Sequence, residues 1–173
     1  GGVAELENEP TSAKSEFWIA AAGAAMSIAL GFAFWVLAAL LQATGLSAAL
    51  TMVAAYLATI NVILAIFNLV PAFPMDGGRI LRAYLWQRNG DVLKATRTAA
   101  WFGTFFGYTL MTLGVVAIFQ AGLSAGLWYV LIGFFVLAAA RSAYQNQLMQ
   151  TAFSGKTVQA VMIADPVVVS PEL

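Results

Sequence analysis

The residues best suited to chemistry lie in one run of 12, from Asn68 to Arg79, which reads NLVPAFPMDGGR. Pro71 and Pro74 cannot continue a helix, and each also restricts the residue before it. A helix that enters this run must therefore stop near Pro71. Backbone groups freed at membrane depth are tolerated only against protein or a water-filled cavity. The run therefore predicts a broken helix beside a polar site, with Asp76 as an acid next to it. An ionisable group that borders the apolar layer is a functional candidate.

A simpler interpretation of the same run is a plain helix exit. In it, Asp76 caps the following helix and Gly77-Gly78 supply turn geometry, a weakly specific pattern. The composition excludes several other chemistries, because the chain has no cysteine and no histidine. Disulfides, thiolate ligands and a histidine-activated serine nucleophile are therefore absent from this sequence. From the residues alone, the helix exit and the functional site both stay open.

The elements around this run indicate a membrane protein. The chain has 173 residues, of which 61% are hydrophobic and 9% charged, whereas soluble domains average about 45–50% apolar and about 25% charged residues. A spanning helix needs about 20 mostly apolar residues. The sequence therefore predicts an all-α integral membrane fold, with the break after the second span and a short strand at the N-terminus. The predicted spans are residues 17–41, 46–70, 99–119 and 123–140.

The basic residues predict the orientation of these spans. All eight Lys and Arg residues lie before the first span, between the second and third, or after the fourth. The short turns 42–45 and 120–122 carry no charge. By the positive-inside rule, both termini and the loop 71–98 are cytoplasmic, in a multi-pass protein of the cell membrane.

Three segments outside the spans have their own patterns. Residues 79–88 predict a short interfacial helix, with arginines 79, 82 and 88 opposite an apolar face. Residues 1–16 are a polar strand or loop remnant, and residues 17–150 form the membrane core. Residues 151–173 form a linker and the first helix and strand of a soluble domain.

Asp91 precedes the third span. It is positioned to N-cap the helix that runs into that span.

The run also resembles a known family. Its Asn-x-x-Pro-x-x-x-x-Asp-Gly pattern, from Asn68 to Gly77, resembles the second motif of the site-2 proteases, the intramembrane zinc metalloproteases of peptidase family M50. Ala22-Gly23 resembles the small-residue start of that family's third core helix. The tail from Val161 to Pro171 resembles the opening of a cystathionine-β-synthase-type (CBS) domain. The likeness extends over nearly the whole chain.

The resemblance implies a role for each matching residue. In this family, zinc is held by two histidines of a His-Glu-x-x-His helix and by the aspartate that matches Asp76, while the glutamate of that helix is the general base. Asn68 would hold substrate or the developing oxyanion. The implied substrate is a transmembrane protein such as an anti-sigma factor, with a nucleotide at the CBS domain and no nucleic-acid partner. The residues implied beside the substrate cleft, in an extended segment, are Pro71, Ala72, Phe73, Pro74, Met75 and Gly77.

The sequence departs from the family in one respect that decides activity. Without histidine it has no His-Glu-x-x-His helix, so this chain alone is expected to be inactive. Either the N-terminal helices are missing, or the protein is a natural inactive relative. Two competing functions stay open: a transporter or channel subunit with a broken-helix ion site, and a catalytically dead scaffold that binds membrane helices.

The charge distribution gives a direct test of topology. We expect Ser124→Cys, in the fourth span next to an uncharged turn, and Lys156→Cys to react with an impermeant thiol reagent from opposite sides of the membrane. Labelling of both positions from the same side would contradict the four-span arrangement.

Overall fold

The computed structural model describes residues 12–153. Over this range the chain forms five α-helices and no strand, which confirms the predicted all-α class. The predicted N-terminal strand and the predicted opening of a CBS domain fall outside the described residues. The helices are α1 (Ala13–Thr44), α2 (Ala48–Asn68), α3 (Asp76–Asn89), α4 (Val92–Ala121) and α5 (Leu123–Phe153).

Four of these helices, α1, α2, α4 and α5, are long and apolar enough to cross a membrane. They match the four predicted spans, but three of them are longer than predicted. Helices α1, α4 and α5 contain 32, 30 and 31 residues. At about 1.5 Å per residue they exceed a hydrocarbon layer of about 30 Å. Their polar ends therefore extend beyond the apolar layer.

Caps set where the membrane helices begin. Ser12 accepts a hydrogen bond from the Ser15 N–H at 3.2 Å, and Ser47 starts α2 in the same way. Asp91 accepts from the Lys94 N–H at 3.0 Å, which confirms its predicted role as the N-cap of α4. Each cap satisfies a backbone donor that has no partner within the helix.

The helices pair into two antiparallel hairpins, α1 with α2 and α4 with α5, and α3 packs against both α1 and α4. In α4 and α5, glycine allows the two backbones to touch. A Cβ on Gly107 would lie 2.9 Å from the Gly133 carbonyl oxygen, and Gly126 sits directly against the backbone of Gly114. Small residues at such contacts are typical of helix pairs in lipid. The two hairpins make few direct contacts with each other.

Helix α3 begins at Asp76, three residues before the predicted start of the interfacial helix. Arg82 and Ala83 are buried, and Tyr84 is 57% exposed. Arg82 does not face water, because it pairs with Glu16 inside the protein. The location of α3 at the membrane interface stays a prediction.

The contact between α4 and α5 gives a stability prediction. In Gly126→Ala, the new methyl group would meet the Gly114 carbonyl oxygen and lie 2.5 Å from the Ile118 nitrogen. Because both obstacles are backbone atoms, the helices must separate, at a cost of about 1–3 kcal/mol. The thermal midpoint in detergent should fall.

The matched control is Ala138→Val, which adds bulk to an exposed position of the same helix. Its midpoint should stay close to the parent value. A Gly126→Ala midpoint equal to that of the control would contradict the close contact.

Candidate metal-ligand site at the helix break

The helical backbone is interrupted between Asn68, the last residue of α2, and Asp76, the first residue of α3. The predicted break is therefore present. The seven residues between them fold into turns, with the Met75 N–H donating to the Ala72 carbonyl at 3.0 Å. The Phe73–Pro74 peptide is cis. The segment implied by the family resemblance to be extended is thus compact in this structure.

Glycines make room for the backbone of this segment. A Cβ on Gly77 would collide with the carbonyl oxygens of Leu69 and Val70, and one on Gly103 would collide with the Phe73 carbonyl. Gly77 lies inside the first turn of α3 and does not have a positive φ. Its predicted role as a turn residue was wrong: the glycine is needed for close approach of the chain, not for conformational freedom.

The Asp76 carboxylate does not cap α3. The N-cap is Met75, without a side-chain hydrogen bond, and Asp76 is the first helical residue. Its side chain lies against α1, where a Cβ on Gly23 would be 2.6 Å from Oδ2. The helix-cap interpretation of Asp76 is therefore wrong, and Gly23 is the residue that leaves space for the carboxylate.

The Asp76 carboxyl is partly buried close to a positive charge. Partial burial raises the pKa of this carboxyl above its ordinary value, and the positive charge of Arg79 opposes that shift. The N-terminus of α3 also favours a negative charge. Among residues 12–153, no hydrogen-bond donor reaches the carboxylate. A partly desolvated acid of this kind gains from a positively charged partner.

Asn68 lies beside a small groove of about 210 Å³. The groove brings Asn68 together with Pro74 and Met75 of the break, and its other wall comes from α5, through Ile132 and Val136. A larger groove of about 610 Å³ between α1 and α2 contains no ionisable side chain. The groove at Asn68 is lined by Pro74 and Met75 of the break, whereas the larger groove reaches the break only through Leu69.

The residues predicted to lie beside the substrate cleft form an exposed and a buried group. Pro71 and Pro74 are exposed, while Ala72, Phe73, Met75 and Gly77 are buried. The Phe73 N–H donates to the Ala99 carbonyl of α4 at 3.3 Å. These residues are thus mostly the packed support of the site, and Pro74 and Met75 also border the groove.

The described residues can supply only part of the ligand set that a metal ion needs. Within residues 12–153 no group of three His, Cys, Asp or Glu side chains could hold a metal ion. Catalytic zinc uses about three protein ligands and an open position. Asp76 has the right chemistry and a free carboxylate, so the described part of the chain supplies one oxygen ligand.

A buried polar cluster near the break was missed from the sequence. Arg82 of α3 donates through Nε to Glu16 Oε1 at 2.6 Å and through Nη1 to Gln147 Oε1 at 3.2 Å. Its Nη2 also contacts Glu16. Glu16, Arg82 and Gln147 are only 0%, 6% and 5% exposed. The available signal was Glu16, an acid immediately before a run of 59 uncharged residues.

Asn61 of α2 makes a hydrogen bond within its own helix: its Nδ2 donates to the Leu57 carbonyl at 2.8 Å. A side-chain amide can satisfy itself on the preceding turn in this way.

Comparison with known proteins finds relatives of this chain. Residues 42–114, which include the break, match the model of peptidase family M50. The chain is 42% identical over 166 residues to "Putative zinc metalloprotease Rip3" of Mycobacterium tuberculosis, covering 96% of this chain and 42% of that protein. It is 31% identical over 175 residues to "Zinc metalloprotease MJ0392" of Methanocaldococcus jannaschii, covering 100% of this chain and 47% of that protein.

A solved structure shares the fold. The site-2 protease from Methanocaldococcus jannaschii superposes with a TM-score of 0.56 at 29% identity, over 83% of this chain and 61% of that one. The chain spans a little under half the length of the curated relatives it matches. Residues 42–114 therefore match peptidase family M50, and the chain shares the fold of a site-2 protease.

Proposed function

We propose that the protein to which this chain belongs is an intramembrane zinc metalloprotease, with Asp76 as one of the zinc ligands. The observation that carries the proposal is the placement of Asp76: its carboxylate is free of a capping role and lies against Gly23 at the end of a broken membrane helix. Because the sequence has no histidine, the other ligands and the general base come from outside this chain.

The chain's own residues would perform three tasks. Asp76 would hold the metal with an anionic oxygen, and Gly23 would keep its carboxylate on the α1 side. Zinc, when bound, supplies Lewis acidity and an activated water. Asn68 would donate a hydrogen bond to the substrate carbonyl or to the charge that develops on it, as a neutral amide can.

The substrate would be a transmembrane helix of a membrane-anchored regulator. The groove at Asn68 supports this idea, because it adjoins the break and has a wall made by α5. The cytoplasmic orientation of both termini rests on the placement of the basic residues. A nucleotide-binding CBS domain after α5 would link cleavage to the state of the cell in regulated intramembrane proteolysis.

The competing functions fit less well. A transporter with inverted repeats should contain a second broken helix, whereas α4 and α5 are both continuous. A dead scaffold would share the fold but would not need a metal. Metal content and cleavage by the full-length protein therefore separate the proposal from both alternatives.

The proposal predicts different outcomes for the two site residues. In full-length protein, Asp76→Asn should lose most bound zinc and most cleavage while the helices stay folded, since a neutral amide is a poor zinc ligand. Asn68→Ala should keep its zinc but turn over about 100-fold more slowly, the usual effect of losing one oxyanion donor.

The measurements are metal analysis of purified protein, cleavage of a transmembrane substrate, and circular dichroism for folding. Wild-type zinc content with near-normal cleavage in Asp76→Asn would refute the ligand assignment. Loss of zinc in Asn68→Ala would refute the substrate role of the amide.

The contact between Gly23 and Asp76 gives an independent test. In Gly23→Ala the new methyl group would lie 2.6 Å from the carboxylate oxygen, so the carboxylate must move and zinc affinity should fall at least about tenfold. Competition with a chelator measures that affinity.

Gly31→Ala is the matched control in the same helix. Its methyl group would meet the Val62 side chain at 3.2 Å and no ionisable group. Zinc affinity in this variant should stay near the parent value. Equal affinities for the two variants would show that Gly23 is not shaped for the carboxylate.

A further inference from the structure

Arg82 contacts side chains from three other parts of the fold. Glu16 belongs to α1, Gln147 to α5, and Phe73 to the helix break, where the guanidinium carbon lies 5.4 Å from the ring centroid. Arginine suits this task because its planar fork of donors can serve two acceptors while its face stacks on an aromatic ring. The cluster is buried, so water does not weaken these contacts.

The position of this cluster matters because the hairpins make few other direct contacts. Glu16 lies near the start of α1, in the first hairpin, and Gln147 lies near the end of α5, in the second. Arg82 thus joins the hairpins at the end of the bundle where the helix break lies. Each hairpin carries one side of the site: Gly23 of α1 against Asp76, and Val136 of α5 against the groove at Asn68.

We propose that Arg82, held by Glu16 and Gln147, is a positioning residue that sets the separation of the two hairpins around Asp76 and Asn68. The proposal rests on the proposed protease function. Phe73 extends the effect to the break, because its N–H donates to the Ala99 carbonyl and its ring lies under Arg82. Loss of the cluster should therefore loosen the site without removing any group that would touch metal or substrate.

The chemistry of buried ion pairs permits a test that separates geometry from stability. Removing one partner leaves an unpaired buried charge and destabilises a fold strongly, but replacing both partners with apolar residues of similar size is often neutral. The double variant Glu16→Leu/Arg82→Met should therefore stay folded. Gln147→Leu, which keeps the ion pair and breaks only the tie to α5, is a milder second variant.

The first measurement is cleavage by full-length protein with these variants. In the double variant, kcat should fall by up to about 100-fold, as for a small misplacement of reacting groups, with a smaller change in KM and a thermal midpoint near wild type. Gln147→Leu should show a smaller loss in the same direction. Arg88→Gln, an exposed arginine on the same helix, should behave as wild type.

The second measurement reports the hairpin separation and needs neither zinc nor substrate. Spin labels on Leu46→Cys and Ser124→Cys, exposed positions at the two hairpin tips, can be placed in a cysteine-free full-length background. The distance distribution between them should broaden or shift in the double variant and in Gln147→Leu, but not in Arg88→Gln.

Wild-type cleavage in the double variant would overturn the proposal. An unchanged tip distance would also overturn it, even if cleavage fell, because Arg82 would then act by another route. A wild-type protein that neither binds zinc nor cleaves would refute the proposed function instead, and the tip distances would still decide the role of Arg82.

Discussion

The break in the helical backbone between α2 and α3 is the constraint on which the rest of the structure depends. Seven residues leave helical form at the edge of the apolar layer, where backbone groups without partners are costly. The protein meets this constraint with its own backbone: the Phe73 N–H binds the Ala99 carbonyl, and the break packs directly onto glycines of α3 and α4. The close fit fixes where Asn68 and Asp76 emerge.

The charges near the break follow from the lengths of the helices. Helices α1 and α5 are longer than a hydrocarbon layer requires, so Glu16 and Gln147 can meet Arg82 beyond the most apolar zone. Burying charges still costs several kcal/mol per ion before pairing offsets it. The cluster is therefore weak evidence for added stability. The cluster instead favours one arrangement of the two hairpins, because a misplaced hairpin would leave a buried charge without its partner.

Hydropathy and length predicted the four spans, because a bilayer demands long apolar runs whatever their packing. The prolines likewise predicted the break, and Asp91 its cap, because both effects are local. The face of α3 could not be predicted in this way. Arg82 resembles a solvent-facing cation until α1 and α5 supply Glu16 and Gln147, at separations of 66 and 65 residues along the chain. Gly77 was misread for the same reason, since its neighbours are set by the folded break.

The family motif predicts that Asp76 is a zinc ligand, and the structure adds the reason why its carboxylate is available. An aspartate after a Pro-Met pair and before two glycines would ordinarily cap the helix it begins. Here Met75 occupies the cap position, which moves Asp76 one residue into α3 and turns its carboxylate toward α1. Gly23 then determines whether the acid can remain there, because any side chain at that position would fill the space of the carboxylate. The position of the carboxylate therefore depends on two residues: Asp76 of α3, which carries it, and Gly23 of α1, which has no Cβ to displace it.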